Sequence, residues 1–236
     1  MQTRNQTNAK GVDVSHWQGK IDWMKVRAAG YSFAILKATE GGSMVDSRFL
    51  LNVAGAKQTG ILVGAYHFCR ASTVEEAIKE AEYFCKVIGD GSSLDLPPAF
   101  DIETPEGKNR ETISAICRAW INRVKELTGL QSMLYTFLSY ARLYLEGLSD
   151  VPLWLARYDT LQPEDVSGWS RWTFIQYTDK GSVPGISGDV DLNEYCGNIE
   201  QLLGKEDEST MPMKLAQYQW DMLYEVLGKA YNDDKL

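Results

Sequence analysis

Short apolar runs that do not alternate, each followed by a stretch with helical spacing, limit what this chain can fold into more than any other feature. The runs are GVDVS (11–15), SFAILKA (32–38), ILVGAYHF (61–68), PPAFDIE (97–103) and SMLYTF (132–137). A strand with one wet face alternates; a run that is apolar almost throughout suits a parallel strand covered on both faces. Between the runs, residues 73–89 set Val74, Ala77, Ile78, Ala81, Phe84, Cys85 and Ile88 on one stripe. Residues 110–129 do the same with Ile113, Ile116, Cys117, Trp120, Ile121, Val124 and Leu127. Gly30, Gly60, Gly89 and Gly129 follow helical stretches, where a left-handed residue closes a helix. Five βα units come first.

The rhythm then changes. VPLWLAR (151–157), WTFIQYT (172–178) and GDVDLN (188–193) read as strands joined by loops rich in Gly, Pro, Ser and Asp, with a last helix over roughly 193–203. The expected fold is α/β, an irregular TIM-like barrel of five βα units plus three further strands, with a short C-terminal helical tail. Eight strands suffice to close a barrel; an open sheet has the same local pattern. Residues 1–10 are expected to be flexible, 11–203 to form the barrel, 204–210 (GKEDEST) to be a linker and 211–236 to be helical. In that tail Leu215, Tyr218, Met222, Val226 and Leu227 share a helical face. Such a face packs back on the barrel, mediates self-association, or opens a further domain.

Composition removes several function classes. The formal charge, 24 − 32 = −8, and the lack of any basic run argue against nucleic acid and anionic membrane as partners. Cys69, Cys85, Cys117 and Cys196 show no ligand spacing, and the histidines are His16 and His67 alone, so neither metal nor cofactor is expected. The thiols read as reduced and mostly buried. No segment approaches the ~20 apolar residues of a membrane span, and MQTRNQTNAK has no apolar leader core, so synthesis in the cytoplasm is expected.

Against this background PPAFDIET (97–104) is odd, because Asp101 and Glu103 end an apolar run. Carboxylates are depleted in strand interiors, and an unpaired one is costly to bury. Active sites of parallel α/β folds form at the carboxyl ends of strands. Asp13 lies in the first strand, Asp101 and Glu103 end the fourth, and Asp191 ends the last. Residues two apart in a strand share a face, roughly 6.6 Å apart, so Ile102 turns toward the helices. Two close carboxylates titrate apart, so one can stay protonated beside one ionised near neutral pH. That is the equipment of glycoside hydrolysis; such pairs also bind divalent metals. Around them Tyr66, His67, Tyr135, Trp154, Gln176 and Tyr177 stand near other strand ends, and seven Trp and twelve Tyr supply faces for sugar rings. Each alone suits core packing equally well. Glu40 in KATEGG is either a rim ligand or a solvated loop charge.

In order and spacing, GVDVSHWQGKIDW, FAILKATEG, VDSRF, GAYHF, FDIE, LWLARY and GDVDLNEY resemble the family 25 glycoside hydrolases over residues 10 to 203. These are N-acetylmuramidases, or Chalaropsis-type lysozymes, common among phage endolysins and bacterial wall hydrolases. The resemblance implies a flattened barrel and cleavage of the β-1,4 bond between N-acetylmuramic acid and N-acetylglucosamine in peptidoglycan strands. Glu103 would be the general acid and base, and Asp101, Asp13 and Asp191 the other acidic positions. It implies retention of configuration, through a carboxylate or through the substrate's 2-acetamido group; the Asp-x-Glu spacing favours the latter. A cytosolic chain with a wall substrate implies release through a holin-type pore during lysis, and the helical tail stands where such proteins carry wall-binding modules. Two other classes stay open: a non-catalytic wall-binding protein on a hydrolase fold, and a metal-dependent hydrolase.

Overall fold

The computed structural model describes residues 1–105 and 107–202. The linker and the helical tail expected over 204–236 lie outside the described residues. The parallel run begins with β1 (Lys10–Val14), α1 (Trp23–Ala28), β2 (Phe33–Glu40), a short β3 (Met44–Val45), α2 (Phe49–Gln58), β4 (Leu62–Phe68) and α3 (Val74–Ile88). It continues with β5 (Ala99–Asp101), α4 (Arg110–Thr128), β6 (Met133–Phe137) and α5 (Leu138–Tyr144). β7 (Leu153–Ala156), β8 (Phe174–Gly181), β9 (Val190–Tyr195) and, to the last described residue, α6 (Ile199–Leu202) follow. Pairing runs β1-β9-β8-β7-β6-β5-β4-β2, and β1 also pairs with β2, so the barrel closes; β3 is a hairpin partner on β2. β9 alone among the barrel strands runs antiparallel to both its neighbours.

Helix boundaries follow local chemistry. Thr73 caps α3 by accepting from the Glu76 amide, with Glu75 and Glu76 in the positive first turn. Asn109 caps α4 through the Thr112 amide, and Gly129, at φ 74°, ends it in the left-handed region. Most of each predicted stripe is buried: Ala77, Ala81, Phe84, Cys85 and Ile88 of α3 and Ile113, Ile116, Cys117, Trp120, Ile121 and Val124 of α4; Leu127, at the end of α4, is instead exposed, and Val74 and Ile78 are half-buried. Cys69, Cys85 and Cys117 are free and buried and Cys196 is free and half-buried, as the sequence suggests.

The apolar residues form two bodies. One fills the space between helices and barrel; the other, built on Phe33, Ile35, Ala99, Met133, Trp154 and Phe174, fills the barrel. Phe33 meets Phe174 edge-on at 5.3 Å, plugging the interior below the carboxylates. Gly11 pairs with Phe33 in register, and a Cβ there would stand 2.2 Å from the Phe33 ring. Gly11→Ala should therefore destabilise the fold by about 1–3 kcal/mol, measurable by urea denaturation; an unchanged midpoint would show that Phe33 can move aside.

Two expectations need correction. The first ten residues are not loose: Gln2 donates to the Trp172 carbonyl at 2.6 Å, Arg4 pairs with Glu194, and Ala9 exchanges backbone bonds with Tyr195 and Gly197. They cover a side of the barrel that β7, β8 and β9 leave without helices. The helix expected over 193–203 starts only at Ile199, because residues 190–195 are ladder-bonded to β1 and β8.

Candidate active site

Strand alternation at the mouth of the barrel decides which side chains meet. Asp13, Lys37, Tyr66, Phe68, Asp101, Glu103, Tyr135, Trp154, Tyr158, Gln176 and Asp191 line a cavity of about 280 Å³, with Ser15 and Trp17 on its rim. All four predicted carboxylates are thus brought together. Ile102 points the other way, into the helix layer, as the Asp-x-Glu spacing requires. Asp191 reaches the mouth for a different reason from the one expected: it lies at the start of β9, not its end, and the antiparallel course of β9 sets it opposite Asp13.

Asp13 accepts from a donor network whose sense is fixed. Trp154 Nε1 can only donate, and it does so to Asn193 Oδ1 at 2.8 Å. The Asn193 amide nitrogen therefore faces Asp13 Oδ2, at 2.7 Å. Tyr135 and Tyr158 hydroxyls donate to Gln176 Oε1 at 2.9 and 2.8 Å, which turns the Gln176 nitrogen onto the same Asp13 oxygen at 2.9 Å. Burial leaves the Asp13 carboxyl raised, with these two amides and Asp191 opposing the rise. Asp191 is pushed up to about 9, by burial first and then by the Asp13 charge, so it is protonated near neutrality and donates to Asp13.

The Asp101–Glu103 pair holds a proton tightly, because both carboxyls are raised. Asp101 is raised well above the usual carboxylate range, by burial first and then by the charges of Glu103 and Asp13, with Lys37 opposing. Glu103 is raised too, by burial first, with its contacts to Asp101 and Tyr135 opposing the rise. The two carboxyls therefore titrate as a pair that shares one proton near neutrality. Asp101 Oδ1 is buried without a hydrogen-bond partner.

The other predicted contacts divide. Tyr66, Tyr135, Trp154 and Gln176 line the cavity, but Trp154, 1% exposed, and Gln176, 3% exposed, chiefly orient Asp13's donors. His67 is not at the mouth. A bulge between Lys37 and Thr39 sends Lys37 inward with Tyr66, while Thr39 and His67 face the helices. There His67 Nδ1 lies 2.7 Å from Thr39 Oγ1, its Nε2 lies 2.8 Å from Glu80 Oε2, and its ring stacks on Phe100 and Trp120. Tyr177 also turns outward, beneath the Arg4 guanidinium at 3.7 Å. Glu40 does not line the cavity; it accepts from Lys37 Nζ at 2.6 Å and from Arg70, and so fixes the one cation among the lining residues.

Sequence reasoning missed Lys37, Trp17, Tyr158 and Asn193. Asn193 carried a signal, standing two residues after Asp191 on the same strand face. A second cavity, of about 560 Å³, adjoins the first and shares Glu103, Tyr135 and Tyr158 with it. Its far wall holds Arg142, Arg157 and Glu164. Glu103 thus stands at the junction of one continuous groove, beside a shared proton and a carboxyl fixed by three donors. Such an arrangement suits acid–base cleavage of a polymer threaded through it.

Residues 12–186 match the family described as Glycosyl hydrolases family 25. The chain belongs to that family. Lysozyme M1 of Streptomyces globisporus is 39% identical over 210 residues, 84% of this chain and 71% of that protein. N,O-diacetylmuramidase of Chalaropsis is 31% identical over 204 residues, 77% of this chain and 95% of that one. Among solved structures, the bacterial lysozyme of Streptomyces coelicolor superposes with a TM-score of 0.76 at 35% identity, covering 87% of this chain and 100% of that one. As a family 25 member the chain is a glycoside hydrolase of the muramidase kind, and its barrel is the fold the resemblance implied.

Proposed function

We propose that this enzyme hydrolyses the β-1,4 bond between N-acetylmuramic acid and N-acetylglucosamine in peptidoglycan with retention of configuration, Glu103 serving as general acid and then as base. The observation that carries this reading is the position of Glu103 at the junction of the two cavities, so that a glycan crossing from one to the other lays a glycosidic oxygen beside it. Trp17, 81% exposed on the rim of the smaller cavity, offers a ring face to a sugar. Asp101 Oδ1 has the burial and the vacancy to accept an N–H, and the 2-acetamido group of the substrate supplies one. Once Asp101 accepts that bond, the proton shared by the pair settles on Glu103. The acid is then armed, and the acetamido oxygen, pulled onto the anomeric carbon, displaces the leaving sugar as Glu103 protonates it. Water activated by the now ionised Glu103 opens the resulting oxazolinium ring. Asp13, with Asp191 as its donor, faces the positive charge that develops at the sugar.

Digestion of purified peptidoglycan followed by borohydride reduction and mass spectrometry tests the bond assignment. Reduced muramic acid ends are expected; reduced glucosamine ends would overturn it. Asp101→Asn should lower kcat by about 10²-fold or more with the affinity for glycan largely kept, since an amide presents its own N–H to the acetamido group. Near-full turnover by that variant would sink the acetamido route. Synthesis in the cytoplasm and release through a holin-type pore, as the resemblance implies, complete the proposal.

A further inference from the structure

The larger cavity carries a feature that glycan cleavage does not use. Most guanidiniums of this chain that face carboxylates are closed on them: Arg118 holds Asp150 at 2.6 and 2.8 Å, Arg123 holds Glu82 at 2.7 and 3.0 Å, and Arg70 holds Glu40 at 2.7 and 2.9 Å. In the cavity wall, by contrast, Glu164 stands between two arginines and closes on neither. Its oxygens lie 3.9 Å from Arg142 Nη2 and 3.5 Å from Arg157 Nε, looser ion pairs than those above, and Arg157 Nη1 reaches the Tyr158 carbonyl only at 3.5 Å. Arg157 Nε is itself buried and lacks any hydrogen-bond partner. Two forked cations thus share one loosely held anion, in a space that opens directly onto Glu103. An arginine left with a buried, unused N–H is receptive to a planar carboxylate, which takes two donors at once.

We infer that this wall reads a carboxylate on the peptide arm of the substrate, with Arg142 and Arg157 as its donors and Glu164 as the group it displaces. The inference rests on the muramidase reading above, because that reading puts a muramic acid ring at Glu103. The ring bears a lactyl ether from which the peptide extends, so the arm begins within one sugar of the scissile bond. A cavity of about 560 Å³ beside Glu103 has room for several residues of it. A phosphodiester of wall teichoic acid presents related anionic oxygens; the flat, paired geometry favours the carboxylate.

The test uses uncross-linked peptidoglycan strands freed of teichoic acid by hydrofluoric acid, in two forms. One keeps its peptide carboxylates; in the other carbodiimide and ammonia convert them to amides. The wild-type enzyme should show a kcat/KM about tenfold or more higher on the charged form, expressed in KM. In the double variant Arg142→Gln/Arg157→Gln that ratio should fall to near one. Glu164→Gln, which removes the competing anion, should raise the ratio and keeps the inference testable if the double variant folds poorly. Equal rates on the two forms by wild type, a preference that survives the double variant, or an unmoved ratio in Glu164→Gln would each overturn it. A preference seen only on strands that retain teichoic acid would assign the wall to phosphate and overturn it as well. Failure to cleave either form would sink the muramidase reading, and this inference with it; cleavage blind to charge would sink the inference alone.

Discussion

Glu103→Gln is expected to lose about 10³-fold or more in kcat, with glycan binding and folding preserved. Glutamine keeps the shape of the side chain and a group able to bond Tyr135, but it carries no transferable proton. Both halves of the proposed reaction then fail: the leaving oxygen departs without protonation, and no base is left for water. Because the substitution also removes one charge from a cluster in which Asp13, Asp101, Glu103 and Asp191 are all raised, the variant should be no less stable than wild type. In wild type the same cluster shapes the pH profile. Turnover needs one proton on the Asp101–Glu103 pair, so the rate should fall on the alkaline side as pH rises through the raised range of that pair. On the acid side it falls when a second proton neutralises it. Measured kcat against pH for both proteins decides the matter. A Glu103→Gln enzyme within tenfold of wild type would remove Glu103 from its role.

Asp191→Asn should make the protein more stable above neutral pH and abolish most of its activity. In the fold the Asp191 carboxyl is pushed up to about 9 from an ordinary value of 3.8. The native state therefore binds this proton more tightly than the unfolded chain does. The stability it contributes is fully present below about pH 4 and is lost progressively as pH rises through about 9. Asp101 is raised in the same direction and adds to the slope. Wild-type Tm should thus decline from pH 5 to pH 9. Asparagine keeps an N–H for Asp13 and cannot ionise, so its curve should be flatter and lie above wild type at pH 8. The expected gain is about 0.5–2 kcal/mol, or a few degrees in Tm for a chain of this size. Calorimetric scans at pH 5, 7 and 9 measure it. Parallel curves for the two proteins would show that Asp191 is ionised in the native state, and the proton count of the site would have to be redrawn.

How far the site was legible depended on which face each strand shows. Asp13, Asp101 and Glu103 stood out because acids interrupting apolar strands have few structural uses, and Ile102 between two of them fixed their common direction. The two stripes on α3 and α4 were readable for the related reason that burial imposes a 3.6-residue period. β9 was harder. Its inward residues Asp191 and Asn193 are polar because they belong to the site, so the strand lacks the apolar signature and its direction left no trace. His67 and Tyr177 were misplaced by one residue of alternation each, next to the correctly placed Tyr66 and Gln176; the bulge after Lys37 that settles the first case is a tertiary event. Trp154 and Gln176 stood in the right place with another part to play, since nothing in the sequence shows that Asn193 and Asp13 would meet them. Arg142, Arg157 and Glu164 lie on a helix end, the exit of β7 and a loop, and only the fold gathers them.

The antiparallel course of β9 also governs what can be attached to this barrel. Had β9 run parallel to its neighbours, the chain would leave the last strand at the rim of the groove. Instead it enters at the rim, at Val190, and leaves at the opposite end, where Ala9 bonds to both Tyr195 and Gly197. The incoming and outgoing segments are therefore side by side on the closed end, about as far from Glu103 as the barrel allows. A label carried at Asn198, which is exposed at that end, would leave the approach of a long, stiff polymer unobstructed.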